Sequence, residues 1–230
     1  MKIIKDIEQG SQEWLDIRRG KITMSHAKDL LTGGKGVTRQ TYLMSVVSEI
    51  VSNYPDDQYR SDDMIRGNEL ERFALDAFMS QHDKHCETVG FVLHDDERIG
   101  CSPDALSKNA VIEIKSPKPE THLKYMNRNY AITAHNPQMQ GNMWICEKEA
   151  CWFVSFCPWV ESAPLIAHLV SADYDVISKI EESSLSGADE IEKMVEAIKA
   201  NKPSKEVIEI SKSASEYWSM LTLQNDEVMI

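Results

Sequence analysis

The stretch from Ile99 to Lys115 constrains the fold of this chain more than any other part of the sequence. It places Asp104, Glu113 and Lys115 in the pattern S-P-D-x8-E-I-K. The β-branched apolar residues around the last two charges predict a short strand over 111–115. Because residues two apart in a strand point to the same face, we expect Glu113 and Lys115 to lie side by side.

An acid and a base among valine and isoleucine residues need a compensating partner, because burial of an unpaired charge is costly. A divalent cation could be this partner, since Asp104 and Glu113 offer the hard oxygen ligands that Mg2+ prefers. Lys115 beside them can hold a water molecule or a phosphate oxygen. The alternative is a surface hairpin with a solvated Glu113–Lys115 pair, which E-x-K alone would favour. The preceding P-D reverses that preference and predicts a metal site.

The chain has 230 residues, enough for one sizeable core or for a domain with an appendage. We find no signal-peptide pattern and no run near the ~18 apolar residues of a membrane span, so we expect a cytoplasmic protein without membrane contact. The odd number of cysteines and the lack of C-x-x-C predict buried thiols rather than a disulfide framework or zinc ribbon. The spacing of the last three leaves an iron–sulfur site as a minor alternative.

The formal net charge of −12 normally argues against a nucleic-acid partner. Basic residues are nevertheless concentrated in two short segments, 18–21 and 115–118. We therefore expect any DNA binding to be local and sensitive to salt. The loop T-G-G-K-G at 32–36 adds Lys35 as a candidate DNA contact.

Helix caps and apolar stripes predict helices on both sides of the strands. One of them, from about Met64 to Gln81, carries Glu71 at the edge of its apolar face, either as a third metal ligand or as a structural residue. Asn136-Pro137 predicts the start of a later helix, with Asn at the N-cap and Pro at the first position. The segment 117–136 before it is polar.

Strands are predicted over 88–93, 98–106, 110–115, 151–156 and 165–171. Together with the helices they predict an α/β fold, a small mixed β-sheet flanked by helices. We assign residues 1–203 to a single domain and 204–230 to a C-terminal tail with a weak helical pattern.

Five sequence blocks recur in the order typical of one nuclease family: W-L-D-I-R-R-G-K-I-T-M-S, G-N-E-L-E, C-S-P-D, E-I-K and P-Q-M-Q-G-N-M-W. The chain resembles the phage lambda exonuclease, or YqaJ-type viral recombinase, family of the PD-(D/E)xK nuclease superfamily. The resemblance spans residues 11 to about 160 and implies a PD-(D/E)xK nuclease-like core.

The resemblance implies a site with two Mg2+ ions, for which Mn2+ can substitute. Asp104 would bridge the ions, Glu113 and the backbone carbonyl of Ile114 would complete one site, and Glu71 would hold the second. Lys115 would orient or help to deprotonate the attacking water. These roles suit phosphodiester hydrolysis, which needs an activated water and a neutralised phosphate.

The resemblance also implies DNA contacts. Gln140 would lie near the scissile phosphate, with Gln138 close by. Trp14 would mark the point of strand separation. A pocket for the DNA 5′-phosphate is implied for three residues: Arg18, Ser25 and Ser102. Without the resemblance, Arg18 would be interpreted as a cation at a helix C-terminus and Ser25 as an N-cap.

The function implied is a Mg2+-dependent 5′–3′ exonuclease. It would degrade one strand of linear double-stranded DNA from 5′-phosphorylated ends and leave 3′ single strands for phage-type recombination. A toroidal homotrimer, a phage single-strand annealing protein as partner, and a bacterial or prophage setting are implied with it. The alternatives are another PD-(D/E)xK nuclease, of CRISPR-associated iron–sulfur or structure-specific endonuclease type, and a non-catalytic DNA-end-binding module.

Overall fold

A computed structural model of the protein describes residues 1–32, 37–52, 62–82 and 84–226. Its helices are α1 (Gln12–Arg18), α2 (Ala27–Leu31), α3 (Val37–Val51), α4 (Asp62–His82), α5 (Pro119–Lys124), α6 (Arg128–Ile145), α7 (Tyr174–Lys199) and α8 (Lys205–Asp226). Its strands are β1 (Lys2–Ile4), β2 (Ile22–Thr23), β3 (Cys86–Glu87), β4 (Phe91–Leu93), β5 (Ile99–Cys101), β6 (Ala105–Ser107), β7 (Ala110–Lys115), β8 (Ala150–Phe156) and β9 (Leu165–Ser171). The predictions for Lys35 and for most of the loop 52–63 fall outside the described residues.

The larger sheet has five strands in the order β3-β6-β7-β8-β9. Its central strand β7 runs parallel to β8, whereas the other neighbouring pairs are antiparallel. This mixed sheet, flanked by helices, confirms the predicted α/β class. The predicted strands 110–115, 151–156 and 165–171 match β7, β8 and β9 within one residue.

The predicted strand 98–106 is wrong as a single element, because the chain changes sheets within it. β5 belongs to a second sheet, ordered β1-β4-β5-β2, and β6 belongs to the larger one. Pro103 lies between them and lacks the N–H that a continuous ladder needs. Ser102 and Asp104, on either side of this proline, therefore stand at the point where the chain passes between the sheets.

The start predicted for the long central helix at Asn136-Pro137 is also wrong. α6 begins at Arg128, where the side chain of Asn127 accepts a hydrogen bond from the N–H of Tyr130. Pro137 lies inside the helix. The polar segment 117–136 therefore holds α5, which opens with Pro119, and the first half of α6.

Two helices hold the larger sheet from opposite faces. On one face, Phe78 of α4 packs in a buried cluster with Ile112 of β7 and Val154 of β8. On the other face, α6 reaches Glu113, since alternate residues of β7 point to opposite sides. The two helices thereby bring side chains from distant parts of the chain to the margins of one strand.

The chain divides into two compact units, residues 1–192 and 193–230. α8 lies in the second unit and bears out the weak helical pattern seen in the tail. The assignment of 1–203 to the nuclease domain and of 204–230 to a contact tail stays a prediction. No helix in the described part of the chain has the length and apolarity that a bilayer crossing requires.

Candidate active site

Asp104 and β7 are joined directly through a tight hairpin. β6 and β7 pair with Ala105 opposite Ile112, so one step further along the ladder Asp104 faces Glu113. The Oδ2 atom of Asp104 accepts a hydrogen bond from the N–H of Ile114. The S-P-D-x8-E-I-K spacing is therefore the length of a hairpin that sets one carboxylate against the other.

Glu113 is a buried carboxylate whose two oxygens are both paired. Its side chain is only 1% exposed, and Oε1 lies 2.5 Å from Nζ of Lys115. Oε2 accepts a hydrogen bond of 2.9 Å from Nδ2 of Asn142 in α6. Glu113 and Lys115 thus share a face, as predicted, and Asn142 from a distant helix completes the carboxylate's hydrogen bonding.

The site holds more negative than positive charge. Burial, and then the charges of Glu113 and Glu71, raise the pKa of Asp104 well above its usual range. Burial chiefly raises the pKa of Glu71 to about 7, with Glu113 adding repulsion and Lys115 opposing it. Burial alone would lower the pKa of Lys115, but the charges of Glu113 and Asp104 outweigh it and raise that pKa. Three carboxylates therefore share one ammonium group.

The chemistry of this donor set fits a hard divalent cation, because a positive charge would stabilise the ionised carboxylates of Asp104 and Glu71, which burial and then mutual repulsion disfavour. The side chains are not arranged as a closed cage: among the described residues, no three His, Cys, Asp or Glu side chains are grouped to hold a metal ion. Glu113 is instead turned to Lys115, and Asp104 to the N–H of Ile114. The carbonyl of Ile114 as a ligand stays a prediction.

We expect Glu71→Gln to stabilise the metal-free protein at pH 8. A raised pKa means that folded Glu71 holds its proton more tightly than the unfolded chain does. Its ionisation therefore destabilises the fold above pH ~7, and this cost is absent below pH ~4.5. The gain in EDTA should be about 2 kcal/mol at pH 8, a few degrees in Tm, and should shrink towards pH 5.

Glu69→Gln is the matched control, because Glu69 is two residues away on α4 and exposed. It should leave Tm nearly unchanged at both pH values. Thermal melts in EDTA and in Ca2+ measure both effects, and Ca2+ should stabilise the wild type more than Glu71→Gln. A Tm for Glu71→Gln at or below that of the wild type in EDTA at pH 8 would contradict the charge argument.

The hydrogen bonds of the Gln140 side chain are not made with Asp104, Glu113 or Glu71. Its buried amide accepts a hydrogen bond of 2.8 Å from the N–H of Asp173 and donates to Asn136 and to the carbonyl of Ser171. These bonds tie α6 to the end of β9 and the start of α7. The role predicted for Gln140 at the scissile phosphate is untested and stays a prediction.

Asn142 was not identified from the sequence, although it lies in the same P-Q-M-Q-G-N-M-W block. Gln138 is four residues before Asn142 and therefore lies on the same face of α6, one turn away. The four-residue spacing of Gln138 and Asn142 is the sequence signal that could have identified Asn142. It becomes informative only when one of these two residues is known to contact Glu113.

Two of the three residues predicted to bind the 5′-phosphate, Arg18 and Ser102, are in contact. Ser102 Oγ accepts hydrogen bonds from Nε1 of Trp14, at 3.0 Å, and from the guanidinium of Arg18, at 2.9 Å. That guanidinium lies 4.0 Å from the centre of the Trp14 ring. Within the described ranges Arg18 forms no ion pair with a carboxylate, and burial lowers its pKa. A cation in this state is suited to an anionic ligand.

Ser25 is not part of these contacts. It is exposed, lies in a 3-10 turn over Met24–His26, and its Oγ pairs with Oγ1 of Thr23 at 3.1 Å. Its interpretation as the N-cap of α2 is wrong, because His26 holds that position and makes no capping bond through its side chain. Its place in a phosphate pocket stays a prediction.

The thiols are buried and free, as predicted for Cys86, Cys101, Cys146, Cys151 and Cys157. Cys101 precedes Ser102, and its Sγ lies 3.6 Å from that of Cys146 at the end of α6. The two cysteines pack the strand that leads to Asp104 against the helix that carries Asn142. Their contribution here is to the core.

Comparison with known proteins gives one family and several related structures. Residues 13–149 match the YqaJ-like viral recombinase domain. The fold is similar to an alkaline exonuclease (LHK-Exo) from Laribacter hongkongensis, with a TM-score of 0.75 and 26% identity over 82% of this chain and 96% of that one. The same exonuclease in complex with dAMP matches equally well.

A phage related exonuclease from Haemophilus somnus 129PT shares the fold, with a TM-score of 0.62 and 15% identity over 77% of this chain and 96% of that one. No curated protein matches the sequence. The similarities to solved structures therefore carry the comparison together with the family match.

Proposed function

The chain belongs to the YqaJ-like viral recombinase domain family, and on that premise we propose that it is a Mg2+-dependent 5′–3′ exonuclease. It would degrade one strand of linear double-stranded DNA from 5′-phosphorylated ends and leave 3′ single strands for recombination by strand annealing. The observation that carries the proposal is the cluster of Asp104, Glu113, Glu71 and Lys115 around β7. Ser102 is separated from Asp104 by Pro103 alone and accepts a hydrogen bond from the partly buried guanidinium of Arg18. It therefore connects this cluster to a desolvated arginine.

The carboxylates of Asp104, Glu113 and Glu71 would hold the metal. When bound, a divalent cation in such a site neutralises the phosphate and lowers the pKa of a coordinated water. Lys115 would orient the attacking water and stabilise charge that develops on the phosphate, since its pKa keeps it an ammonium. Asn142 holds Oε2 of Glu113, so that Oε1 points to Lys115.

The terminal 5′-phosphate would bind to Arg18 and Ser102. Arginine offers a planar fork that suits phosphate oxygens, and the hydroxyl is a neutral donor. Ser102 is two residues from Asp104, so a phosphate held there lies a short distance from the metal cluster. This proximity supports a polarity that starts from the 5′ end.

For the glutamine next to the scissile phosphate, we favour Gln138 over Gln140. Gln138 shares the face of α6 that reaches Glu113 through Asn142. The amide of Gln140 is already committed to Asn136, Ser171 and Asp173.

Two further parts of the proposal rest on the family. They are a toroidal homotrimer, and a phage single-strand annealing protein as partner in the cytoplasm of a bacterial host. α8 supports a protein contact of some kind, because it exposes the apolar side chains of Val207, Ile210 and Tyr217.

One assay tests the activity. The protein is incubated with linear duplex DNA with and without 5′-phosphate, and with a covalently closed circle, in Mg2+ or in EDTA. We expect only the linear DNA to be degraded, faster with the 5′-phosphate, to long single strands and only in Mg2+. Separate 5′ and 3′ labels give the direction.

Three other results of this assay would favour a different function or polarity. Cutting of the circle would indicate an endonuclease. Binding of DNA ends without cleavage in Mg2+ or Mn2+ would indicate a non-catalytic module. Degradation from the 3′ label would refute the proposed polarity.

A further inference from the structure

His135 lies over the sheet face that carries the catalytic pair. Phe153 of β8 is in register with Glu113 of the parallel strand β7, so the two side chains share a face. The ring of His135 stacks on that of Phe153, with centroids 5.1 Å apart and planes 22° apart. His135 is also seven residues before Asn142 and so on the same side of α6. The imidazole therefore stands beside the Glu113–Lys115 pair.

Tyr125 holds one nitrogen of this imidazole. Its hydroxyl lies 2.8 Å from Nε2 of His135, and its ring meets those of His135 and Phe153 edge-on. Tyr125 is only 7% exposed, and its hydroxyl has no other hydrogen-bond partner among the described residues. A buried hydroxyl proton without an acceptor is costly, so the hydroxyl donates to Nε2. The proton of a neutral His135 is then on Nδ1.

That Nδ1–H group is available to a ligand. Among the described residues it has no hydrogen-bond partner, and it is not one of the unpartnered nitrogens buried from solvent. Burial, followed by the charges of Lys115 and Lys28, lowers the pKa of His135 to about 4. The imidazole is therefore neutral at physiological pH, and two ammonium groups are near enough to influence its pKa. A neutral donor with cations around it is suited to a phosphate oxygen.

We propose that His135, held by Tyr125, donates its Nδ1–H to a phosphate of the DNA backbone next to the scissile one. The inference rests on the proposed function, since it assumes DNA in the cleft. Lys28, exposed on α2, would add a cation at the rim of the same subsite. His135 positions the strand and takes no part in proton transfer.

Two substitutions separate the nitrogens of the ring. The amide nitrogen of Asn can replace Nδ1, whereas that of Gln reaches the position of Nε2. We expect His135→Asn to keep most of the wild-type kcat/KM in Mg2+, and His135→Gln to lose about tenfold, as for a lost hydrogen bond to a charged group. Tyr125→Phe, which frees the tautomer, should fall between them. Equal effects of Asn and Gln would overturn the assignment of Nδ1.

A modified substrate separates DNA contact from a structural role. Single uncharged methylphosphonates are placed in turn at the phosphates around the first cleaved bond. At one position the wild type should lose about tenfold, and His135→Gln should lose nothing further, because the contact is already absent. The same loss in both proteins at every position would refute the contact. Should a variant fail to fold, the scan on the wild type alone still tests the contact. The contact would be refuted if the wild type were sensitive to methylphosphonate at the scissile phosphate and nowhere else.

Failure of this inference differs from failure of the proposed function. A wild type inactive on unmodified 5′-phosphorylated duplex would refute both. An active wild type whose kcat/KM is unchanged by His135→Gln would refute only the role of His135.

Discussion

Asp104→Asn should reduce exonuclease activity in Mg2+ by at least about 10³-fold, a barrier increase of ~4 kcal/mol. The carboxylate lies across the hairpin from Glu113 and would help to hold the metal. An asparagine oxygen can still accept the hydrogen bond from the N–H of Ile114. Because the substitution also removes a charge from a crowded group of carboxylates, the folded protein should be as stable as the wild type in EDTA. Single-turnover rates on 5′-phosphorylated duplex and thermal melts measure the two effects.

Lys115→Ala should show a comparable loss of activity for a different reason. It removes the ammonium that pairs with Glu113 and leaves that carboxylate buried without its cation. Lys108→Ala is the matched control, because Lys108 is exposed and lies at the turn of the same hairpin; it should leave the activity nearly unchanged. Activity within about tenfold of the wild type for either Asp104→Asn or Lys115→Ala would refute the site.

Arg18→Ala should remove the preference for 5′-phosphorylated ends. We expect the wild type to favour such ends by roughly 10- to 100-fold, as a charge-assisted contact from a desolvated arginine would produce. The variant should treat phosphorylated and hydroxyl ends nearly alike. Arg18→Lys should recover only part of the preference, since an ammonium lacks the planar fork. The ratio of kcat/KM values on the two ends is the measurement.

Arg19→Ala is the control for this effect. Arg19 is adjacent but exposed, and its guanidinium is bound to the backbone carbonyls of Glu49 and Ser52. It should leave the end preference unchanged. Ser102→Ala should weaken the preference in the same direction as Arg18→Ala, because Ser102 Oγ contacts Arg18 directly. An undiminished preference in Arg18→Ala would show that the 5′-phosphate binds elsewhere.

The parts of the site that could be predicted from the sequence are those that lie close together in the chain. Asp104, Glu113 and Lys115 belong to one hairpin, and a hairpin's length and alternation are local properties. Their mutual position therefore followed from spacing alone. The helix carrying Glu71 was likewise predicted from its apolar stripe, although its approach to the hairpin came only from the resemblance.

The errors occurred where a local signal was outweighed by its surroundings. Asn136-Pro137 has the chemistry of a helix start, but Asn127 caps the same helix earlier and packing tolerates Pro137 within it. The apolar run 98–106 looks like one strand, yet Pro103 divides it between two sheets. In each case the local sequence preference was real, but an interaction elsewhere in the fold outweighed it.

The sequence by itself determined the acidic hairpin, the lysine on the same face as Glu113, and the α/β class, because periodicity and spacing encode these over a few residues. Only the tertiary structure decided which distant side chains complete the site. Asn142 contacts Glu113, Arg18 contacts Ser102, and Tyr125 and His135 lie over Phe153. Most of these contacts join residues separated by tens of positions. They depend on how α1 and α6 pack against the sheets, which no local pattern specifies.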